Sequence, residues 1–218
     1  MKRFKTVLFD LDGTLLNTLT DLAACLNRSL QKHGQATHTE DQVRSFVGWG
    51  MRLLLIQALP GGEDNPLYAP IMADYRSDYS LHGQDHVAIY EGIEPVLAAL
   101  KARGVTIAVV TNKPEKDAAP MIRRFFGDTF PLVVGKRPEN EPKPAPDSVL
   151  IAMEALGAER DSTLYVGDTE VDFQTAQNAG IPCALVEWGF RTRAELDALG
   201  AFAVIAKPEE LLSLIDNG

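Results

Sequence analysis

The chain has 218 residues, 45% of them apolar, and a formal net charge of −9. This length suits one domain, or a core with a modest insertion. The acidity argues against unspecific attraction to nucleic acid or anionic membrane. No apolar run approaches the roughly 18 residues of a membrane span.

The first predicted element is an apolar strand, Val7-Leu8-Phe9, running into Asp10-Leu11-Asp12-Gly13-Thr14. This N-terminal apolar segment is too short for a signal peptide, which leads to an expectation of a cytoplasmic protein. From Thr18 to Leu81 the pattern is helical. Leu22, Leu26 and Leu30 recur every four residues before Gly34. Thr39 with Gln42 forms a candidate capping box. Met51 to Leu59 reads as a short apolar helix, and Tyr68 to Tyr79 shows another helical face. No strand is expected in this stretch. From Ile89 onward helices and strands alternate. Helix Ile93–Arg103 precedes strand Val105–Val110, which ends at Thr111-Asn112. The next helix runs to Phe126, and Pro120 should kink or split it. Strand Leu132–Val134, a polar loop over 136–146, helix Ser148–Leu156 and strand Leu164–Val166 follow, the last ending in Gly167-Asp168. Further helices are expected over Val171–Ala179, Ala194–Leu199 and Glu209–Ile215, and strands over Cys183–Val186 and Phe202–Ile205. Alternation of this kind predicts an α/β fold, a Rossmann-like parallel sheet core with an inserted α-helical cap domain. The core is expected over 1–16 and 86–218, and the cap over 17–85. Cys25 and Cys183 show no metal-ligand spacing and read as buried thiols in a reducing compartment.

The chemistry concentrates at strand ends. Asp10 and Asp12, two apart on a strand, point to one side. Their mutual repulsion invites a hard divalent cation, for which Mg²⁺ is the candidate. Alone, Asp-x-Asp-Gly could be a strand closing in a turn. Three further polar clusters sit at carboxyl ends of predicted strands or in the loops beyond: Thr111/Asn112, Lys143 and Asp168/Asp172. A parallel sheet gathers such ends on one edge. Together they suggest phosphoryl transfer. Asp10 is the candidate nucleophile and Asp12 the acid and base. Thr111 and Asn112 are candidate donors to phosphate oxygens, and Lys143 supplies positive charge. Asp168 completes the metal site, and Asp172 orients the cation or its waters.

Asp10-Leu11-Asp12-Gly13-Thr14-Leu15, Val110-Thr111-Asn112-Lys113, Lys143-Pro144-Ala145-Pro146 and Val166-Gly167-Asp168 with Asp172 resemble, in order, the four motifs of the haloacid dehalogenase-like hydrolase superfamily. The resemblance implies that the main-chain carbonyl of Asp12 joins the Asp10 and Asp168 side chains around Mg²⁺. Within the superfamily, Phe46-Val47-Gly48-Trp49-Gly50-Met51-Arg52 and Ile89-Tyr90-Glu91-Gly92-Ile93 are similar to segments of the phosphoglycolate phosphatase group. The expected activity is therefore Mg²⁺-dependent hydrolysis of a small phosphate monoester, with 2-phosphoglycolate first among candidates. A mutase like β-phosphoglucomutase, or a phosphatase for pyrophosphate, nucleotides or sugar phosphates, stays open. Arg52 is the candidate partner for a substrate carboxylate. The expected hinges of the cap lie near 16–20 and 82–88, and the expected assembly is a monomer or homodimer.

Overall fold

A computed structural model describes residues 3–216. The chain divides into two compact units: the described residues of Met1–Leu15 with Ile89–Gly218, and Leu16–Ala88.

The first unit is built on a six-stranded parallel sheet. Its strands are β1 (Thr6–Phe9), β4 (Thr106–Pro114), β5 (Val133–Lys136), β6 (Thr163–Gly167), β7 (Cys183–Val186) and β8 (Ala203–Ile205), in the order β5-β4-β1-β6-β7-β8. All five strand pairings are parallel. β1 and β6 are buried at every residue, as expected of central strands covered on both faces. Helices α5 (Ile93–Ala102), α6 (Glu115–Phe126), α7 (Asp147–Leu156), α8 (Glu170–Ala179), α9 (Arg193–Asp197) and α10 (Glu210–Asp216) connect or follow them. One core cluster joins Leu8, Val110, Val134, Val149, Met153, Tyr165 and Leu185. The chain builds outward from β1 in both directions, so the order reverses at β1. Its carboxyl end, at Asp10, opens the crevice in which such sheets bind ligands.

The second unit is helical, with α1 (Leu19–Lys32), α2 (Glu40–Phe46), α3 (Met51–Ala58) and α4 (Tyr68–His82). Leu22, Leu26 and Leu30 are buried on α1, as are Ile71, Met72 and Tyr75 on α4. Ion pairs Arg28–Asp78 at 2.7 Å and Lys32–Asp74 at 2.8 Å tie these two helices together. The Thr39–Gln42 capping box is present in both directions.

Three local expectations are corrected. β4 does not end at Val110 but runs to Pro114, with a register shift against β5 between those residues. α6 is a single helix despite Pro120. Pro120 and Lys116, whose carbonyl lost its helical donor, are both exposed, so water can satisfy that carbonyl. Two short strands escaped the sequence reading: β2 (Leu16–Asn17) and β3 (Ala88–Ile89) pair as a two-stranded sheet. Two-residue strands carry too little alternation to be read.

Candidate active site

Every core residue singled out in the sequence lies at the carboxyl edge of the sheet. Asp10 follows β1, and its N–H donates to the Val166 carbonyl at 2.9 Å. That bond fixes the start of the loop against β6. Asp168 follows β6 directly. Its Oδ1 accepts from the Thr14 hydroxyl at 3.0 Å and its Oδ2 from the Phe190 N–H at 2.9 Å. Gly13 has φ +88°, and a Cβ there would stand 2.3 Å from Asp168 Oδ2. The turn after Asp12 can therefore lie against Asp168 only because residue 13 is glycine.

Asp10, Asp168 and Asp172 each present a carboxylate oxygen within 4.8 Å of the others, and all three are buried. Burial, with help from Asp172 and Asp12, pushes the Asp10 carboxyl up to about 7, although Lys143 opposes this. Burial and the charges of Asp172 and Asp10 push Asp168 well above the ordinary carboxylate range. The buried Asp10 Oδ1 has no well-directed hydrogen bond. Lys143 Nζ lies 3.0 Å away, but its bonds go to Tyr165 Oη at 3.0 Å and Asp172 Oδ1 at 2.7 Å. Three buried carboxylates facing one another carry more negative charge than the one Lys143 ammonium offsets, and a divalent cation would make up the difference, so these residues fit one.

Lys143 is the positive centre. Burial opposes its charge, but Asp10 and Asp172 more than compensate and hold its pKa well above the usual lysine value. Two side chains position it, Tyr165, which was absent from the sequence-based set, and Asn112, which was in it. Tyr165 donates onward to the Val110 carbonyl at 3.0 Å and so anchors the lysine to the sheet. Its phenol could have been suspected from the strand pattern, but nothing marked it as polar business rather than core. Asn112, the other candidate phosphate donor, also grips the main chain of Lys143. It accepts from Lys143 N at 2.7 Å and donates to Lys143 O at 3.1 Å. Asn112 therefore acts on the site by holding the 136–146 loop, which otherwise has little regular structure.

Asp172 also has a different emphasis from the one expected. Its Oδ2 accepts from Asp168 N, Thr169 N and the Thr169 hydroxyl, closing the capping box of α8. Its Oδ1 accepts from Lys143, with the Tyr165 hydroxyl 3.3 Å away. With four donors on two oxygens, Asp172 aligns Asp168 and Lys143. Asp12 stands apart from the acidic group: both its oxygens are held by Lys113 Nζ, at 3.0 and 3.1 Å. Thr111 is buried, and its Oγ1 accepts from Lys113 N at 3.2 Å, leaving the hydroxyl hydrogen to donate. Arg52, in the helical unit, is exposed at the start of α3 and forms a two-pronged pair with Glu63, with Nε 3.1 Å from Oε1.

A parallel sheet with an aspartate pair after its central strand, a lysine from a neighbouring loop and a third carboxylate after the adjoining strand has the layout of a hydrolase of the α/β class with an acidic, lysine-backed site. The sequence profile of the haloacid dehalogenase-like hydrolases matches residues 7–186, and the chain belongs to that family. It is 39% identical over 200 residues to a phosphoglycolate phosphatase of Rhodobacter capsulatus, covering 88% of each chain. It is 32% identical over 221 residues to an N-acetylmuramic acid 6-phosphate phosphatase of Pseudomonas aeruginosa, covering 99% of this chain and 96% of that one. A solved structure from Lactobacillus delbrueckii subsp. bulgaricus, named provisionally as a phosphoglycolate phosphatase, superimposes over 100% of both chains with TM-score 0.95 at 28% identity. Members of the family generally use a divalent metal, and the acidic group described above provides a place for one.

Proposed function

We propose that this chain is a Mg²⁺-dependent phosphatase that hydrolyses 2-phosphoglycolate through an aspartyl-phosphate on Asp10. The observation that carries the chemistry is the division of labour between two neighbouring carboxylates. Asp10 sits among buried charges beside the Lys143 ammonium, while Asp12 lies outside the acidic group and is held by Lys113. An Asp10 oxygen attacks phosphorus and the ester P–O bond breaks, with the Asp12 carboxyl giving its proton to the leaving oxygen. Water then gives a proton to the Asp12 carboxylate as its oxygen attacks phosphorus. The Asp10–phosphorus bond breaks, phosphate leaves, and both aspartates return to their starting forms. Lys143 offsets the negative charge on the transferring group, and the Thr111 hydroxyl donates to it. A bound cation, held by the Asp10 and Asp168 carboxylates and the Asp12 carbonyl, would offset the remaining anionic charge.

The substrate assignment rests on the relatives. Phosphoglycolate and N-acetylmuramic acid 6-phosphate both join a phosphate monoester to a carboxylate, and the named relatives act on one or the other. The family resemblance makes the 16–88 unit the cap, and the position of Arg52 after Gly48-Trp49-Gly50 at the start of α3 makes its guanidinium the candidate reader of a substrate carboxylate. Glu63, which now satisfies the guanidinium, is the group a substrate carboxylate would replace. The test is Arg52→Ala, assayed on 2-phosphoglycolate and on p-nitrophenyl phosphate, which has no carboxylate. Losing a charge-assisted contact should cost about 1.5–3 kcal/mol, on the order of tenfold or more in kcat/KM, for 2-phosphoglycolate alone. Equal losses on both would remove Arg52 from substrate selection. An acid-quenched phosphoryl adduct on Asp10 that decays in water without sugar phosphate separates the phosphatase from the mutase reading. Cys25 and Cys183, both buried free thiols, agree with a reducing cytoplasm as the working compartment.

A further inference from the structure

The two motif aspartates raise a problem that their spacing cannot solve. Residues two apart on an extended chain point to one side, so both carboxylates are available to the same cation. A carboxylate that ligates the cation is a poor proton carrier. Here the acidic group contains Asp10, Asp168 and Asp172 but not Asp12. The side chain that separates Asp12 from them is Lys113, 6% exposed at its side chain, with its ammonium across both carboxylate oxygens. Lys113 reaches this position because β4 continues past Val110. Thr111 and Lys113 are buried while Asn112 and Pro114 are less so, the alternation of an extended strand. β5 lies close against this stretch: a Cβ on Gly135 would stand 2.7 Å from the Lys113 carbonyl and 2.5 Å from the Glu115 Cα. The extension is thus held on both sides, by its neighbour strand and by the ion pair.

We propose that Lys113 is the positioning residue of the acid–base aspartate. It fixes Asp12 in one rotamer, clear of the acidic group, from which the proton passes to the leaving oxygen. Each aspartate has its own lysine, Lys143 for the nucleophile and Lys113 for the acid, and the two lysines come from different segments of the chain. This inference deepens the phosphatase reading and rests on it.

The experiment uses substituted phenyl phosphates whose leaving phenols differ in acidity, so that no substrate carries a second anion. kcat/KM for such esters reports formation of the phosphoenzyme. An acidic phenol leaves without a proton, whereas a weakly acidic one needs Asp12. Lys113→Met should therefore lower kcat/KM by about 10²-fold for the poorest leaving groups and barely change it for the best, steepening the dependence on leaving-group acidity. Lys113→Arg, whose guanidinium also grips a carboxylate with two prongs, should keep the wild-type dependence. In an Asp12→Asn background, Lys113→Met should add nothing, because its effect passes through Asp12. A uniform loss across the series, or a further loss in the Asp12→Asn background, would overturn the proposal and leave Lys113 a structural lysine. Should Lys113→Met fail to fold, Lys113→Gln, which keeps a donor, is read on the same series and the same double variant. A wild-type protein without phosphatase activity on any of these esters would instead overturn the underlying reading, and a flat wild-type dependence with activity present would overturn only the role of Asp12 and its lysine.

Discussion

Lys143 has contacts on four sides: Asp10, Asp172, Tyr165 and the Asn112 clamp on its main chain. Burying an ammonium costs several kcal/mol, and only its two carboxylates recover that cost. Removing the ammonium would leave two buried carboxylates close together without their shared counter-charge. Lys143→Met should therefore destabilise the metal-free protein by about 3–5 kcal/mol near pH 7, as read from the urea midpoint at unchanged slope. The loss should shrink toward pH 5, because Asp10, displaced upward to about 7, takes up a proton there and no longer needs a counter-charge. A loss that stays the same across that range would mean that the lysine stabilises through packing of its stem and not through charge. The same residue shows why single-residue inference from sequence went only part of the way. Lys143 was legible as a charge because it stands in a Pro-rich loop at the right place in the chain. Tyr165 was not, because one phenol in a buried strand has the same pattern as any core aromatic. Asn112 was placed at the site, but its clamp on the Lys143 main chain was not foreseen, since a side-chain amide serves a loop backbone and a phosphate oxygen equally well.

At the level of elements, the order of strands and helices in the core was readable because buried parallel strands and amphipathic helices carry different periods. The ends were less readable. β4 was cut short at Val110 because Thr111-Asn112-Lys113-Pro114 is polar and ends in proline, the composition of a turn. The strand continues because Thr111 and Lys113 are buried by the site itself, and no local pattern reports burial by a site. Cutting the strand hid the period-2 relation between Thr111 and Lys113, and with it the partner of Asp12. Pro120 is the opposite case, in which the local rule was right about the cost but wrong about the outcome. α6 continues through Pro120 without being split, with Ala118, Met121, Ile122 and Phe126 buried. Tertiary packing of that face outweighs one missing hydrogen bond. The cost should still be present. Pro120→Ala restores a donor to the Lys116 carbonyl at an exposed position and should stabilise the protein by about 1–3 kcal/mol, less what proline contributes by restricting the unfolded chain. Urea unfolding of the variant checks this. Unchanged or lower stability would show that water already satisfies the carbonyl fully and that the proline ring carries no strain.

Over the whole molecule, the stability of the chain should be tied to proton and cation together, through the unit that holds the acidic group. Burial raises Asp10 to about 7 and raises Asp168 in the same direction. A carboxyl raised above its unfolded value of about 3.9 favours the folded state when protonated. That contribution is fully present below about pH 4 and is lost as pH climbs through 7. In metal-free buffer, Asp10 should therefore lower the Tm as pH rises over that range, and Asp168, raised in the same direction, adds to the loss as it ionises. A divalent cation requires the ionised carboxylates, so it competes with the same protons. Its stabilisation should be small near pH 5, grow through pH 7 and level off above, reaching a few kcal/mol once the cation is about a hundredfold above its dissociation constant. The measurement is Tm against pH for protein dialysed free of metal, with and without excess Mg²⁺, and with Asp168→Asn as the control that removes one ligand and one titrating group. The gain should also be local. Hydrogen exchange should slow in β1, β6 and the start of α8, where Asp10, Asp168 and Asp172 are held, and much less in α1 and α4, whose buried face and ion pairs belong to the other compact unit. A Mg²⁺ increment that does not vary with pH would show that the acidic group is ionised without any cation, and would refute the link between burial, protonation and metal binding on which the assignment of Asp10 and Asp168 as ligands depends.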